Sequence, residues 1–158
     1  MRVALVTVSD SVAQGVRQDR SGPALRERCE KLGWQVVSAQ VVSDEPAQIR
    51  ARLTEVADSG TADLVLTTGG TGLGPRDSTP EATQAVCEKV IPGLSELMRE
   101  KGRQTNPRAA LSRGVAGVRA RTIIVNLPGS PRGAVESLVA IADLLPHAVE
   151  VLGGARHD

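Results

Sequence analysis

The chain has 158 residues, enough for one domain with a substantial core and too few for two, so one domain over residues 1–158 is expected. A formal net charge of +1 gives no drive towards non-specific binding of nucleic acid or a membrane surface, and one Trp with no Tyr or Phe leaves few platforms for stacking single-stranded bases. Cys29 and Cys87 share no CxxC-type spacing, no apolar run is long enough to span a bilayer, and the short N-terminal one lacks a small-residue cleavage site. These features argue against structural zinc and for a soluble cytoplasmic protein with two buried or half-buried thiols.

Val3-Ala4-Leu5-Val6-Thr7-Val8 opens the chain as a near-continuous apolar run, the pattern of a strand buried on both faces of a parallel sheet. Leu25, Cys29 and Leu32 recur at helical spacing after Ser21-Gly22-Pro23. Residues 34–42 mix apolar and polar side chains and suit a strand nearer an edge. Ile49, Leu53, Val56 and Ala57 predict a second helix, with Asp44 as its N-cap.

Leu64-Val65-Leu66 is a second buried strand and runs into a glycine-rich loop. Ala82, Ala85, Val86 and Val90 form the next helical face, with Thr79 as N-cap and Pro80 at the first helical position. Leu94, Leu97 and Met98 give a further short helix. Residues 115–118 predict a short strand that turns through Arg119-Ala120-Arg121 into the long apolar strand Thr122-Ile123-Ile124-Val125-Asn126-Leu127. Val135, Leu138, Val139, Ala142 and Leu145 form the apolar face of the last helix, which Pro146 should kink or end. The alternation predicts an α/β fold: a three-layer α/β/α sandwich around a mostly parallel sheet with right-handed crossovers.

Open parallel sheets bind ligands beyond the carboxyl ends of their strands. Ser9-Asp10-Ser11 and a polar loop through Gly15 to Asp19 follow the first strand, and Ser43-Asp44-Glu45 follows the second. Thr68-Gly69-Gly70-Thr71-Gly72-Leu73-Gly74 with Asp77 follows the third, and Pro128-Gly129-Ser130-Pro131 follows the last. The glycine loop has neither Walker A nor dinucleotide-fold spacing. Its glycines alone fit a tight turn as well as a phosphate cradle; Thr68, Thr71 and Asp77 favour the cradle.

Asp44 and Asp77 each read as a cap or turn residue when taken singly. Together, at strand ends on one edge, they suit Mg2+ beside a polyphosphate. Glu81 is either a third carboxylate or a first-turn charge facing the helix dipole. Gly129 and Ser130 form either a Pro-flanked turn or an anion site at a helix start. Arg76, Arg113 and Arg132 are candidate phosphate partners, Arg113 foremost. His147 and His157 lie away from every predicted strand end, which argues against a Ser-His-Asp or Cys-His pair. Carboxylates, hydroxyls, backbone amides and arginines fit phosphoryl or nucleotidyl transfer, where the substrate brings an anionic nucleophile and the protein supplies position and charge.

The motifs that recur in order are Val8-Ser9-Asp10, Ser21-Gly22-Pro23-Ala24-Leu25, Asp44, Thr67-Thr68-Gly69-Gly70-Thr71-Gly72, Arg76-Asp77-x-Thr79-Pro80-Glu81-Ala82-Thr83, Ile91-Pro92-Gly93-Leu94, Leu111-Ser112-Arg113 and Asn126-Leu127-Pro128-Gly129-Ser130-Pro131. With them, nearly end to end, the chain resembles the MogA/MoaB family of molybdenum-cofactor biosynthesis, whose fold recurs in the G domains of gephyrin and its plant counterpart. The resemblance implies Mg2+-dependent adenylylation of molybdopterin by ATP, releasing pyrophosphate. It implies Asp44 and Asp77 as the functional and metal-binding aspartates, and Gly69–Gly72 as the phosphate loop. Ser9, Asp10, Thr68, Thr79, Glu81, Ser112, Arg113, Pro128, Gly129 and Ser130 are implied in nucleotide or pterin binding. A homotrimer and contact with other molybdenum-cofactor enzymes are implied as well. The alternative is a non-catalytic pterin-binding or scaffold protein of the same fold; Asp44, Asp77 and Thr79 together favour the enzyme.

Overall fold

A computed structural model describes residues 1–154. His157 lies outside the described residues. One sheet holds six strands: β1 (Arg2–Val8), β2 (Gln35–Val42), β3 (Leu64–Thr68), β4 (Lys89–Val90), β5 (Ala116–Arg119) and β6 (Thr122–Leu127), in the order β2-β1-β3-β6-β5-β4. Strands β2, β1, β3 and β6 run parallel, and β5 is antiparallel to both β6 and β4. The strand expected near an edge is the edge strand β2. The expected β5–β6 hairpin turns at Ala120, whose φ of 52° is left-handed.

Alternation along the central strands builds two apolar layers, because successive side chains point to opposite faces. Val3 and Leu5 of β1, Leu64 and Leu66 of β3, and Ile123, Val125 and Leu127 of β6 join one cluster. It is completed by Leu25 and Cys29 of α2 (Ser21–Lys31), Leu94 and Met98 of α5 (Pro92–Arg103), and Leu138 and Ile141 of α6 (Pro131–Ile141). Ala4, Val6, Val8, Val65 and Ile124 point the other way, onto Ile49 and Leu53 of α3 (Pro46–Ser59) and Ala82 and Val86 of α4 (Thr79–Val86). The three-layer α/β/α sandwich follows directly from this split.

Several local expectations are corrected. A short helix α1 (Asp10–Ala13), which buries no residue, follows β1, and β4 is a two-residue exposed strand; neither carries a periodic apolar signal. The helix expected around Leu94 is a full 12 residues. The last helix is interrupted next to Pro146, as expected. The break is a 3-10 turn over Ala142–Leu144, and Pro146 sits in the first turn of α7 (Leu145–Leu152), where its missing N–H costs nothing.

Neither expected N-cap holds. Glu45 is the N-cap of α3, with no side-chain cap bond, and Asp44 lies just outside. Ser78 is the N-cap of α4, while Thr79 is inside the helix and its hydroxyl donates to the Gly69 carbonyl at 2.9 Å. Tertiary partners have claimed both side chains that local chemistry assigned to capping.

Leu66 is fully buried at the centre of the larger cluster. Leu66→Ala is expected to cost about 2–5 kcal/mol, since the cavity left in a close-packed sheet core cannot collapse; a urea denaturation series reads it as a lower midpoint.

Candidate functional site

The chain leaves β1 for β2 on one side and places β3 on the other, so strand order reverses between β1 and β3. A cavity of about 660 Å³ opens at that point, beyond the carboxyl ends of the strands. Of the candidate residues, Ser9, Asp44, Thr68, Gly69, Gly70, Asp77, Gly129 and Ser130 line it. Four strand ends thus converge as the edge rule requires.

Backbone proximity makes the glycines obligatory. Gly69 has φ +102°, and a Cβ there would sit 2.3 Å from the Val8 carbonyl oxygen. Gly70 has φ +69°, and a Cβ would lie 2.3 Å from the Thr79 hydroxyl and 3.2 Å from Asp44 Oδ1. The loop is tied down at both ends: Gly69 N–H donates to the Leu127 carbonyl at 3.2 Å, and Thr79 N–H to the Gly70 carbonyl at 3.1 Å. Thr68 hydroxyl donates to the Pro128 carbonyl at 2.6 Å, joining the glycine loop to the loop that opens α6. Ser130 stands at the expected helix start and caps α6 by accepting from Gly133 N–H at 3.1 Å, and it also lines the cavity.

Asp44 and Asp10 form a reciprocal pair. Asp10 N–H donates to Asp44 Oδ2 at 2.8 Å, and Asp44 N–H donates to Asp10 Oδ1 at 2.9 Å. Burial pushes the Asp44 carboxyl above the usual carboxylate range, opposed by the Asp10 N–H and reinforced by the nearby charges of Asp10 and Asp77. Asp10 is shifted the other way, chiefly because the Arg76 guanidinium grips its carboxylate at 3.0 and 3.2 Å. Asp77 accepts from Gly74 N–H at 2.9 Å, so it is a turn residue and a cavity-lining carboxylate at once.

Other candidates sit elsewhere. Asp10, Thr71, Gly72, Thr79, Glu81, Ser112, Arg113 and Pro128 are not on the cavity wall. Arg113, ranked first for phosphate, is spent inside the protein: Nε donates to the Gly72 carbonyl at 2.8 Å, Nη2 to the Asp77 carbonyl at 2.9 Å, and Nη1 pairs with Glu81. That same pair turns one Glu81 carboxylate oxygen to Arg113. Arg113 is therefore a strut under the glycine loop. Ser112 and Pro128 line a separate niche of about 30 Å³, with Asn126, Ser95 and Arg99. Arg132 is engaged by Glu136 one helical turn on, at 2.8 Å. His147 lies in α7, away from the cavity.

The wall also holds Thr7 and Arg20, together with Arg17, Gln18 and Asp19 of the expected polar loop and Ser21 of the Ser-Gly-Pro motif, none of which had been assigned a site role. Asp19 accepts from Thr7 hydroxyl at 2.8 Å and from Gly22 N–H at 3.0 Å, pinning this loop to β1 and to the start of α2. Its position after a strand end was the available signal, but an Asp in a polar loop looks like any turn residue. The two thiols are placed as expected: Cys29 is buried and Cys87 half-buried, and burial pushes both up to about 11.

Among the described residues no group of three His, Cys, Asp or Glu could by itself enclose a metal ion. Two carboxylates facing one cavity still match Mg2+, which keeps several waters and completes its shell with substrate phosphates. No helix among the described residues is long and apolar enough to cross a membrane.

The raised Asp44 carboxyl fixes the sign of a pH effect. Between its unfolded and folded titration ranges the folded state holds more protons, so stability falls as pH rises through that window. At neutral pH the ionised, partly desolvated Asp44 is a destabilising charge. Asp44→Asn keeps an acceptor for Asp10 N–H and is expected to raise Tm at pH 7 without added metal, the gain shrinking as acidification protonates the native residue. Thermal melts in a chelator from pH 7 to pH 4 check this.

A family model described as a probable molybdopterin-binding domain matches residues 4–147. A molybdopterin adenylyltransferase of Helicobacter pylori (strain J99) is 39% identical over 156 residues, covering 98% of this chain and 89% of that protein. The molybdopterin adenylyltransferase of Escherichia coli K12 is 39% identical over 151 residues, covering 90% of this chain and 74% of that one. Among solved structures, the molybdopterin biosynthesis enzyme MoaB of Thermus thermophilus superposes with a TM-score of 0.92 at 50% identity, over 99% of both chains. With the fold, the switch-point cavity and these relatives in agreement, the chain belongs to the MogA/MoaB family of molybdopterin-binding domains.

Proposed function

We propose that this protein is a molybdopterin adenylyltransferase of molybdenum-cofactor biosynthesis, transferring the adenylyl group of ATP to the terminal phosphate of molybdopterin. The observation that carries the reading is the convergence of Asp44 and Asp77, from two different loops, on a glycine-walled cavity at the switch point. The relatives' names supply the substrate; the cavity supplies chemistry that suits it.

A phosphate oxygen of molybdopterin attacks the α-phosphorus of ATP in line. One P–O bond forms, the bond from that phosphorus to the bridging oxygen breaks, and pyrophosphate leaves. The attacking phosphate is anionic at neutral pH, so no protein base is needed, in keeping with a wall that holds no histidine among the described residues. The chain's work is positioning: Gly69 and Gly70 let the backbone come close to phosphate oxygens, and Ser130 with the start of α6 offers an anion-favouring helix end. Asp44 and Asp77 would hold Mg2+, which when bound neutralises the charge on the ATP phosphates. A homotrimer, a cytoplasmic location and contact with other molybdenum-cofactor enzymes belong to the same proposal.

Purified protein given ATP, Mg2+ and molybdopterin is expected to yield pyrophosphate and adenylylated pterin. Binding of molybdopterin with no turnover would make it a binding protein instead. Asp77→Ala is expected to lower kcat by about 100-fold or more, in the range for losing a group that stabilises transferred charge; a near-normal rate would take Asp77 out of the reaction.

A further inference from the structure

Arg76 and Asp10 do not line the cavity, yet each is the chain neighbour of a residue that does: Arg76 precedes Asp77, and Asp10 follows Ser9. Arg76 grips Asp10 with two nitrogens, Nε to Oδ2 at 3.0 Å and Nη2 to Oδ1 at 3.2 Å, and its Nη1 reaches Glu45 at 3.5 Å. Asp10 in turn is joined to Asp44 by reciprocal N–H to carboxylate hydrogen bonds at 2.8 and 2.9 Å. Ser78 adds a parallel tie, its hydroxyl donating to the Asp44 carbonyl at 3.1 Å. Three loops, from the ends of β1, β2 and β3, meet in this one cluster.

Resting on the adenylyltransferase reading, we propose that Asp10 and Arg76 are positioning residues, a brace that sets the separation of Asp44 and Asp77 without touching substrate. A solvent-exposed ion pair contributes little to global stability. The Arg76 side chain is 56% exposed and that of Asp10 32%, so the consequence of this pair is geometric. A bidentate guanidinium–carboxylate contact fixes orientation as well as distance. It joins the segment carrying Asp77 to the residue that orients the Asp44 carboxylate. Displacing a reacting constellation by about 1 Å can cost on the order of 100-fold in rate. The competing role for Arg76 is direct phosphate binding, and it makes the opposite prediction for paired substitutions.

Asp10→Asn, Arg76→Gln, Arg76→Lys and the Asp10→Asn/Arg76→Gln double variant separate the two. Asn retains an acceptor for Asp44 N–H, so folding should survive, and melts check this. Hydrogen exchange read by mass spectrometry over residues 69–78 needs no turnover. The brace predicts faster exchange there in Asp10→Asn and Arg76→Gln alike, with the core strands unchanged; unaltered exchange in both overturns it. In turnover, each single change is expected to lower kcat about 10- to 100-fold while KM for ATP and molybdopterin stays within about twofold. The double variant should be no worse than the poorer single one, and Arg76→Lys, which keeps charge but not the fork, should fall between Arg76→Gln and wild type. Losses that multiply in the double variant, or a raised KM for ATP in Arg76→Gln alone, make Arg76 a phosphate ligand and overturn the brace. If wild-type protein makes no product, the adenylyltransferase reading fails, and the exchange measurement still decides whether the brace exists.

Discussion

The architecture of the site depends on a close backbone approach at Gly69. Its Cα lies where a side chain would strike the Val8 carbonyl, its N–H bonds to the Leu127 carbonyl, and a Cβ on Gly129 would come within 3.3 Å of it. The ends of β1, β3 and β6 therefore meet at one residue that only glycine can supply, both for its positive φ and for the missing Cβ. The strands can end this close together because they are parallel neighbours packed between two helical layers. Everything that follows them is delivered to the same edge.

Around that point the protein places charge where stability alone would not. Asp44 is half-buried and shifted upward by desolvation and by two other carboxylates, a cost that a neutral side chain would avoid. The compensation is local: a backbone N–H on one oxygen, and Arg76 on the far side of Asp10. Unfavourable negative charge at a cavity, offset by contacts outside it, is the pattern of a site preorganised for a cationic partner.

Hydroxyls and amides carry the support beneath. Buried Asn126 donates to the Thr67 and Thr83 hydroxyls at 3.0 and 2.9 Å and accepts from Val115 N–H, joining β3, α4 and the approach to β5. Arg113 and Thr79 hold the glycine loop from below. The motif segments thus include residues that do not line the cavity: Thr79, Arg113 and Asn126 are struts whose partners include backbone carbonyls and buried hydroxyls.

The order and type of the main elements were legible because β1, β3 and β6 are apolar on both faces and the long helices keep their 3.6-residue period. The binding edge was legible because small, hydroxylated and acidic residues follow every parallel strand. The short elements α1 and β4 were not, since neither buries enough to leave a pattern. The roles of Thr79, Glu81 and Arg113 were not legible either, and Asp44 was legible as a carboxylate on the binding edge but not as the partner of Asp10. In sequence, Asp44 and Thr79 sit where caps belong and Arg113 looks like a free cation. Only folding brings Asp10 to Asp44 and Glu81 to Arg113, across 34 and 32 residues. Sequence by itself determined the layers, the edge and the glycine loop, because periodicity and backbone freedom are local properties. Tertiary structure alone decided which polar side chains face the cavity and which brace it, because that choice depends on partners distant in the chain.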